Sequence, residues 1–157
     1  MPPPNPIYCL DTNFFIYLKR YYFPEVFVTL KKNLENLAKE ERIIMSKFVL
    51  DELERQADEI SKWVKTNFPR VEDIDNDQEK ILHAIIQQNK KWAEGEKTPA
   101  DPFIIALAEV KGFVVVTHEK RFSFNEGANN RIPAVCEYRK VTCLHTKEFF
   151  KQEGWLF

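Results

Sequence analysis

Short, mostly apolar runs separated by polar stretches predict the strands of this chain. The run from Phe113 to Thr117 is rich in Val and continuous, which is typical of a strand buried on both faces of a parallel sheet. The other runs are shorter and end at polar residues. Together they predict four strands, at residues 7–10, 42–45, 113–117 and 141–144.

Between these runs, apolar residues recur at helical spacing. They predict helices at 14–18, about 24–40, 48 to about 63, 78–92, 103–110 and 146–152, with loops at 67–77, 94–99 and 123–133. Asp101 and Pro102 favour a helix start, because Asp can cap free backbone N–H groups and Pro suits the first turn. Alternating strands and helices predict a three-layer α/β/α sandwich with a mostly parallel central sheet. We expect one domain over 1–157, with a proline-rich tail at 1–6.

Composition and charge narrow the class of protein. The 157 residues are 44% hydrophobic and 13% aromatic, which excludes a disordered chain. No apolar run approaches the ~20 residues that cross a bilayer, and the N-terminus lacks signal-peptide regions, so we expect a cytoplasmic protein without a membrane partner. Cys9, Cys136 and Cys143 form no zinc motif, and we expect them to be reduced. With a net charge of −1, any nucleic-acid contact must come from local patches or metal ions.

Acidic residues stand where a parallel α/β sheet binds its ligands, beyond the carboxyl ends of the strands. Asp11 directly follows the first predicted strand, and Glu119 follows the 113–117 strand by two residues. Asp101 opens an apolar helix that should pack against the same sheet. Glu52 lies beside the apolar face of its predicted helix, whereas Asp51 points further towards solvent.

Four carboxylates in one cleft would repel one another unless cations neutralise them. Mg²⁺ and Mn²⁺ favour oxygen ligands and are often held by a few carboxylates and by substrate phosphates. One such ion can generate hydroxide from bound water, and a second can stabilise a leaving 3′-oxygen. The pattern therefore indicates metal-assisted phosphodiester hydrolysis.

Four segments carry these acids in a fixed order: Ile7 to Asn13, Val49 to Leu53, Ala100 to Ala108 and Val115 to Glu119. They resemble the four ordered motifs of PIN domains, a family of metal-dependent ribonucleases that includes the toxins of VapBC-type toxin–antitoxin pairs. Residues 18–22 and 153–157 resemble a small PIN-like subgroup. The resemblance covers nearly the whole chain and implies a PIN-like fold.

Transferred by position, the resemblance implies metal-binding acids at Asp11, Glu52, Asp101 and Glu119. Glu119 departs from the family pattern, which usually has Asp there. Its extra methylene still allows it to reach a metal, directly or through water.

The resemblance also assigns supporting residues and partners. Thr12 or Asn13 would orient Asp11 or a bound water, and Thr117 would support the site. The resemblance further implies an endoribonuclease that cleaves RNA with Mg²⁺ or Mn²⁺. It also implies that the protein forms a homodimer. The toxins in the family add an antitoxin protein as a partner.

Simpler interpretations exist for each acid taken alone. Asp11 and Asp101 would be helix caps, Glu52 a solvated helix residue and Glu119 a turn residue. Their joint placement favours a common metal site. The alternative functions are a catalytically inactive PIN-like module that binds RNA or protein, and a housekeeping nuclease in place of a toxin.

Two further features remain open at the sequence level. Lys19 to Tyr22 and Lys90 to Trp92 pair basic with aromatic residues, which would suit either a single nucleic-acid strand or ordinary surface charge over buried rings. His118 adjoins the proposed site, where a surface turn is the favoured interpretation over a phosphate contact. His83 and His145 are expected to be packing or capping residues.

Overall fold

The chain forms a parallel five-stranded sheet. The computed structural model describes residues 5–22, 24–56, 58–121, 123–125 and 129–157, so most of the predicted tail at 1–6 lies outside it. The strands are β1 (Tyr8–Leu10), β2 (Ile43–Ser46), β3 (Val71–Glu72), β4 (Val114–Thr117) and β5 (Cys143–His145). Their order is β3-β2-β1-β4-β5, and every neighbouring pair is parallel. The predicted α/β class with a parallel sheet is confirmed.

Helices cover both faces of the sheet. Their bounds are α1 (Thr12–Tyr21), α2 (Val28–Lys39), α3 (Lys47–Glu54), α4 (Glu59–Asn67), α5 (Asn76–Gln88), α6 (Asp101–Lys111), α7 (Ile132–Arg139) and α8 (Thr146–Gln152), with a 3-10 helix at Lys90–Ala93. Helices α1, α2 and α8 pack on one face, while α6, flanked by α5 and α7, packs on the other. The layers are those of an α/β/α sandwich. None of the helices in the described ranges is long and apolar enough to cross a membrane.

The core lies between the sheet and these helices because the central strands are apolar on both sides. Residues of β1, β2 and β4 are buried throughout, and so is the apolar run of α6 from Ile104 to Ala108. On the other face, Phe149 of α8 packs its ring against Tyr8 and Phe14. Burial at about 25 cal/mol per Å² of apolar surface makes these contacts the main source of stability.

The strand order creates a crevice at the carboxyl ends of β1 and β4. The chain leaves β1 towards β2 on one side, and leaves β4 towards β5 on the other. In open α/β sheets, ligands bind where the direction of winding reverses in this way. Residues that follow β1 and β4 are therefore the first candidates for a functional site.

Several predicted elements need correction, among them the helix predicted at 78–92, which ends at Gln88 before the 3-10 helix. The loop predicted at 67–77 contains β3, an edge strand of two residues whose apolar pattern is too short to detect. The helix predicted at 48–63 is two helices, since Asp58 accepts a hydrogen bond from the Ser61 N–H and starts α4. Helix α2 begins at Val28 instead of 24. Helix α7 was not predicted at all, because its residues from Ile132 to Cys136 are buried in succession and give no helical period.

Candidate functional site

Asp11 lies at the junction between β1 and α1. It occupies the N-cap position of α1, yet its side chain makes no capping hydrogen bond. Instead its carboxylate Oδ2 accepts a hydrogen bond from the Thr117 hydroxyl at 2.9 Å, across the boundary between β1 and β4. Asp11 as a whole is only 2% exposed. The interpretation of Asp11 as an ordinary helix cap is therefore wrong, and its charge faces the crevice between the two strands.

Asp101 and Glu52 meet at the start of α6. Asp101 is the first residue of that helix, but Ala100 is the N-cap and no side chain caps it in the usual way. The Glu52 carboxylate from α3 takes over part of that role, since its Oε1 accepts a hydrogen bond of 2.6 Å from the Ala100 N–H. Asp101 is thus the first residue of α6, one position after its N-cap, and its carboxylate accepts a hydrogen bond from its own backbone N–H. This arrangement brings two acids from separate helices to one end of α6.

Glu119 approaches the same region from the end of β4. Its carboxylate Oε2 accepts a hydrogen bond of 3.1 Å from the Ile132 N–H at the start of α7. Its own backbone N–H donates to the Thr117 hydroxyl oxygen at 3.2 Å. The Thr117 hydroxyl therefore links the backbone of Glu119 to the carboxylate of Asp11.

The four carboxylates interact electrostatically. Burial and then the charges of Asp101 and Glu119 raise the pKa of Asp11 well above its usual range. Burial, followed by the charges of Glu119 and Glu52, raises the pKa of Asp101 to about 7. Burial also raises the pKa of Glu119. Among the described residues, Arg131 is the positive charge that acts on Asp101 and Glu119. A cation bound among the four carboxylates would relieve their repulsion.

Arg131 is a functional candidate that the sequence did not reveal. It precedes α7, in the stretch predicted as a loop, and its charge lowers the pKa of both Asp101 and Glu119. The side chain is exposed. Arg131 is thus a cation beside the acidic site, where a phosphate group of a substrate would also be attracted.

The chemistry of the donor set suits a hard divalent cation, although the side chains do not form a ready-made ligand group. Across the described residues, no three His, Cys, Asp or Glu side chains are close enough to hold a metal. Buried carboxylates that repel one another, with few neutralising partners, are the oxygen donors that Mg²⁺ and Mn²⁺ prefer. The Thr12 hydroxyl next to Asp11 is buried without a hydrogen-bond partner in the described part of the chain. Such a group is suited to a water molecule in the site.

The remaining predicted residues differ in their surroundings. Asn13 is exposed, and its side chain makes no hydrogen bond to any described residue. His118 is not a free surface turn, since its ring is half-buried and stacks on Tyr17 with centroids 3.2 Å apart. His145 is the N-cap of α8, as expected of a capping residue. The three cysteines are free.

Comparison with known proteins places the chain in a family. The model of the domain of unknown function DUF4411 matches residues 8–157. No functionally curated protein matches the sequence.

Solved structures share the fold at low sequence identity. A VapBC complex from Salmonella typhimurium, solved bound to DNA, matches with a TM-score of 0.56 and 20% identity, covering 88% of this chain and 97% of that one. FitAcB from Neisseria gonorrhoeae matches at 0.54 and 17%, covering 88% and 96%. VapBC2 from Rickettsia felis, bound to a DNA fragment of its promoter, matches at 0.52 and 18%, covering 88% and 98%. The chain belongs to the DUF4411 family, and its fold is PIN-like.

Proposed function

We propose that this protein is an endoribonuclease that hydrolyses RNA phosphodiester bonds with Mg²⁺ or Mn²⁺. The observation that carries the proposal is the position of Asp11 and Asp101. Both stand at helix starts: Asp11 makes no side-chain cap there, and Asp101 is the first residue of α6, where its carboxylate accepts a hydrogen bond from its own backbone N–H. Their charges are instead directed at each other and at Glu119, which costs stability and is explained by a cation that binds them.

The proposed metal ligands are Asp11, Asp101, Glu52 and Glu119. When bound, a divalent ion would activate a water molecule for in-line attack at phosphorus and stabilise the departing 3′-oxygen. Thr117 holds the Asp11 carboxylate in one orientation by its 2.9 Å hydrogen bond. Thr12, whose buried hydroxyl has no partner among the described residues, or Asn13 would orient a water molecule near Asp11. Arg131 would attract a substrate phosphate.

The substrate and partners are part of the same proposal. We infer single-stranded or loop RNA, because the attacking water needs an accessible backbone phosphate. The structures with the same fold include VapBC and FitAcB complexes, which supports a role as the toxin of a toxin–antitoxin pair, with an antitoxin protein as partner. A homodimer and a cytoplasmic location remain part of the proposal.

The test is cleavage of end-labelled single-stranded RNA by the purified chain with Mn²⁺, with Mg²⁺ and with chelator. We expect cleavage only with metal, and a loss of at least about a hundredfold in Asp101→Asn, since a lost metal ligand costs several kcal/mol of transition-state stabilisation. Asp77→Asn is the matched control, because Asp77 lies in the first turn of α5 and is exposed. Cleavage in chelator, or equal cleavage by Asp101→Asn, would contradict the proposal.

One observation favours a second candidate, a PIN-like module that binds RNA or protein without cutting. The acidic side chains of the described residues do not form a ready-made metal-binding group. If the protein is such a module, it would bind RNA in the same assay and leave the RNA intact with Mn²⁺, with Mg²⁺ and with chelator.

A further inference from the structure

Four aromatic rings form a continuous row at the carboxyl edge of the sheet. Tyr21 and Tyr17 of α1 have ring centroids 4.5 Å apart, and Tyr17 stacks on His118 at 3.2 Å with an interplanar angle of 20°. His118 in turn contacts His145, with centroids 4.4 Å apart. We define Tyr21, Tyr17, His118 and His145 as the aromatic row. It joins α1, the end of β4 and the end of β5.

The aromatic row and the acidic site share one end of the sheet. His118 lies between Thr117, which bonds Asp11, and Glu119. A hydrogen bond holds its ring in place, since His118 Nδ1 lies 2.9 Å from the Thr146 hydroxyl. His145 is paired with Thr117 in the sheet register. The row therefore runs from the carboxyl ends of β4 and β5 along α1 to Tyr21.

Tyr21 forms the accessible end of the row. Its side chain is 52% exposed, and its one ring contact within the described residues is with Tyr17. The two rings are tilted at 39° to each other, so Tyr21 is an exposed ring supported by one neighbour, a surface on which an unpaired base can stack.

A basic side chain lies on the same helix face. Arg20 is three residues from Tyr17 and therefore adjoins the row on α1. It is exposed and forms no salt bridge with any described residue. Lys19, by contrast, is bound to Asp58 at 2.5 Å. Arg20 is thus the available phosphate-binding group next to Tyr21.

We propose that the aromatic row is a binding subsite for single-stranded RNA, in which an unpaired base stacks on Tyr21 and Arg20 contacts an adjacent phosphate. The row would guide the strand towards the acidic site. This inference rests on the proposed function for its substrate class. Cleavage itself does not depend on it, so the two can fail separately.

The test measures binding by fluorescence anisotropy of a fluorescein-labelled adenosine decamer, on the full chain in chelator so that no metal-dependent cleavage occurs. We expect Tyr21→Ala to raise the Kd about tenfold, since the stacking of one base on an aromatic ring is lost. Tyr21→Phe keeps the ring and should bind within about twofold of the wild type. Tyr138→Ala is the control, because Tyr138 is also 52% exposed and stacked on one ring, Phe124, outside the row.

The phosphate contact has a separate readout. The slope of log Kd against log salt concentration should decrease by about 0.7 in Arg20→Ala, the amount expected for one phosphate contact on a single strand. Tyr21→Ala should leave that slope unchanged. An unchanged slope in Arg20→Ala would overturn the role of Arg20.

The outcomes separate this inference from the proposed function. No binding by the wild type, or equal binding by Tyr21→Ala and Tyr138→Ala, would overturn the subsite even if metal-dependent cleavage is observed. Binding that depends on the Tyr21 ring, in a protein that never cleaves RNA, would support the subsite and contradict the ribonuclease.

Discussion

Asp11 is held in surroundings that disfavour its charged form. Its carboxylate is buried, receives one hydrogen bond from a neutral hydroxyl and faces other acids. Burying a charge without a cationic partner is costly, and proteins accept that cost mainly at functional sites. The Thr117 hydroxyl lowers the pKa of Asp11, so it helps to keep the carboxylate ionised and ready for a cation.

The raised pKa values predict how stability depends on pH without metal. Asp101 titrates near 7 in the folded chain and near 3.9 when unfolded, and the pKa values of Asp11 and Glu119 are raised as well. At a pH between the unfolded and the folded pKa of these groups, the folded state binds more protons than the unfolded state. The free energy of unfolding should therefore be highest at the acidic end of this range and fall as the pH rises from about 4 to about 7.

Urea unfolding in chelator at pH 4 to 7 measures this effect. Removing one ionisable group in Asp101→Asn should make the decline less steep than in the wild type. Parallel curves for the two proteins would show that Asp101 is not buried among like charges, and would count against the acidic site.

The sequence identified the acids but not their contacts. Asp11 and Glu119 were found because they follow apolar strands, and Asp101 because it precedes Pro102. The hydrogen bond from Ala100 to Glu52 could not be predicted, because it joins residues that are 48 positions apart. Arg131 was missed for the same reason, since its proximity to Asp101 depends on how α7 packs.

Helix α6 carries Asp101 into the site and is well defined at both ends. Pro102 lies in its first turn, and Gly112 ends it in the left-handed region at φ 75°. Its intervening residues pack against the sheet, so the position of Asp101 depends on the whole helix.

Gly112→Ala tests the C-terminal end of α6. No atom lies within 4 Å of a Cβ added there, so the cost is backbone strain alone, about 1 kcal/mol in the free energy of unfolding. Gly95→Ala is the control, since Gly95 does not adopt a positive φ and its Cβ would make ordinary contacts. Urea unfolding of both variants measures the difference, and equal stability would contradict the helix end described here.

Elements with a clear period were predictable, and short or fully buried elements were not. β4 was evident from its run of Val residues, and the amphipathic α2 was predicted with an error at its start. β3 contains two residues, and the first turns of α7 are buried on every side. Periodicity reports the difference between a buried and an exposed face, so it fails where that difference is absent.

The two edges of the sheet differ in what they contribute. The carboxyl edge holds the acidic site, and the amino edge holds a network around Glu153. Its carboxylate accepts hydrogen bonds from the Tyr8 hydroxyl at 2.5 Å and from two Arg42 nitrogens at 3.0 and 2.6 Å. These bonds attach the C-terminal segment to the starts of β1 and β2.

Glu153→Gln should destabilise the protein by about 1–3 kcal/mol, because the half-buried Arg42 loses its charged partner. Glu40→Gln is the control, since Glu40 is 61% exposed and lies 4.0 Å from Arg42. Urea unfolding measures the loss. Cleavage per folded molecule should be unchanged in both variants, and a selective loss of cleavage in Glu153→Gln would contradict this separation of roles.

The central claim is that the carboxylates at the ends of β1, α3, β4 and the start of α6 hold a divalent cation. Titration of the protein with Mn²⁺ at pH 8, with free Mn²⁺ measured by electron paramagnetic resonance, tests it directly and needs no substrate. The account predicts saturable binding by the wild type and by Asp77→Asn, weakened at least about tenfold in Asp101→Asn. No binding, or equal binding by all three proteins, would contradict it.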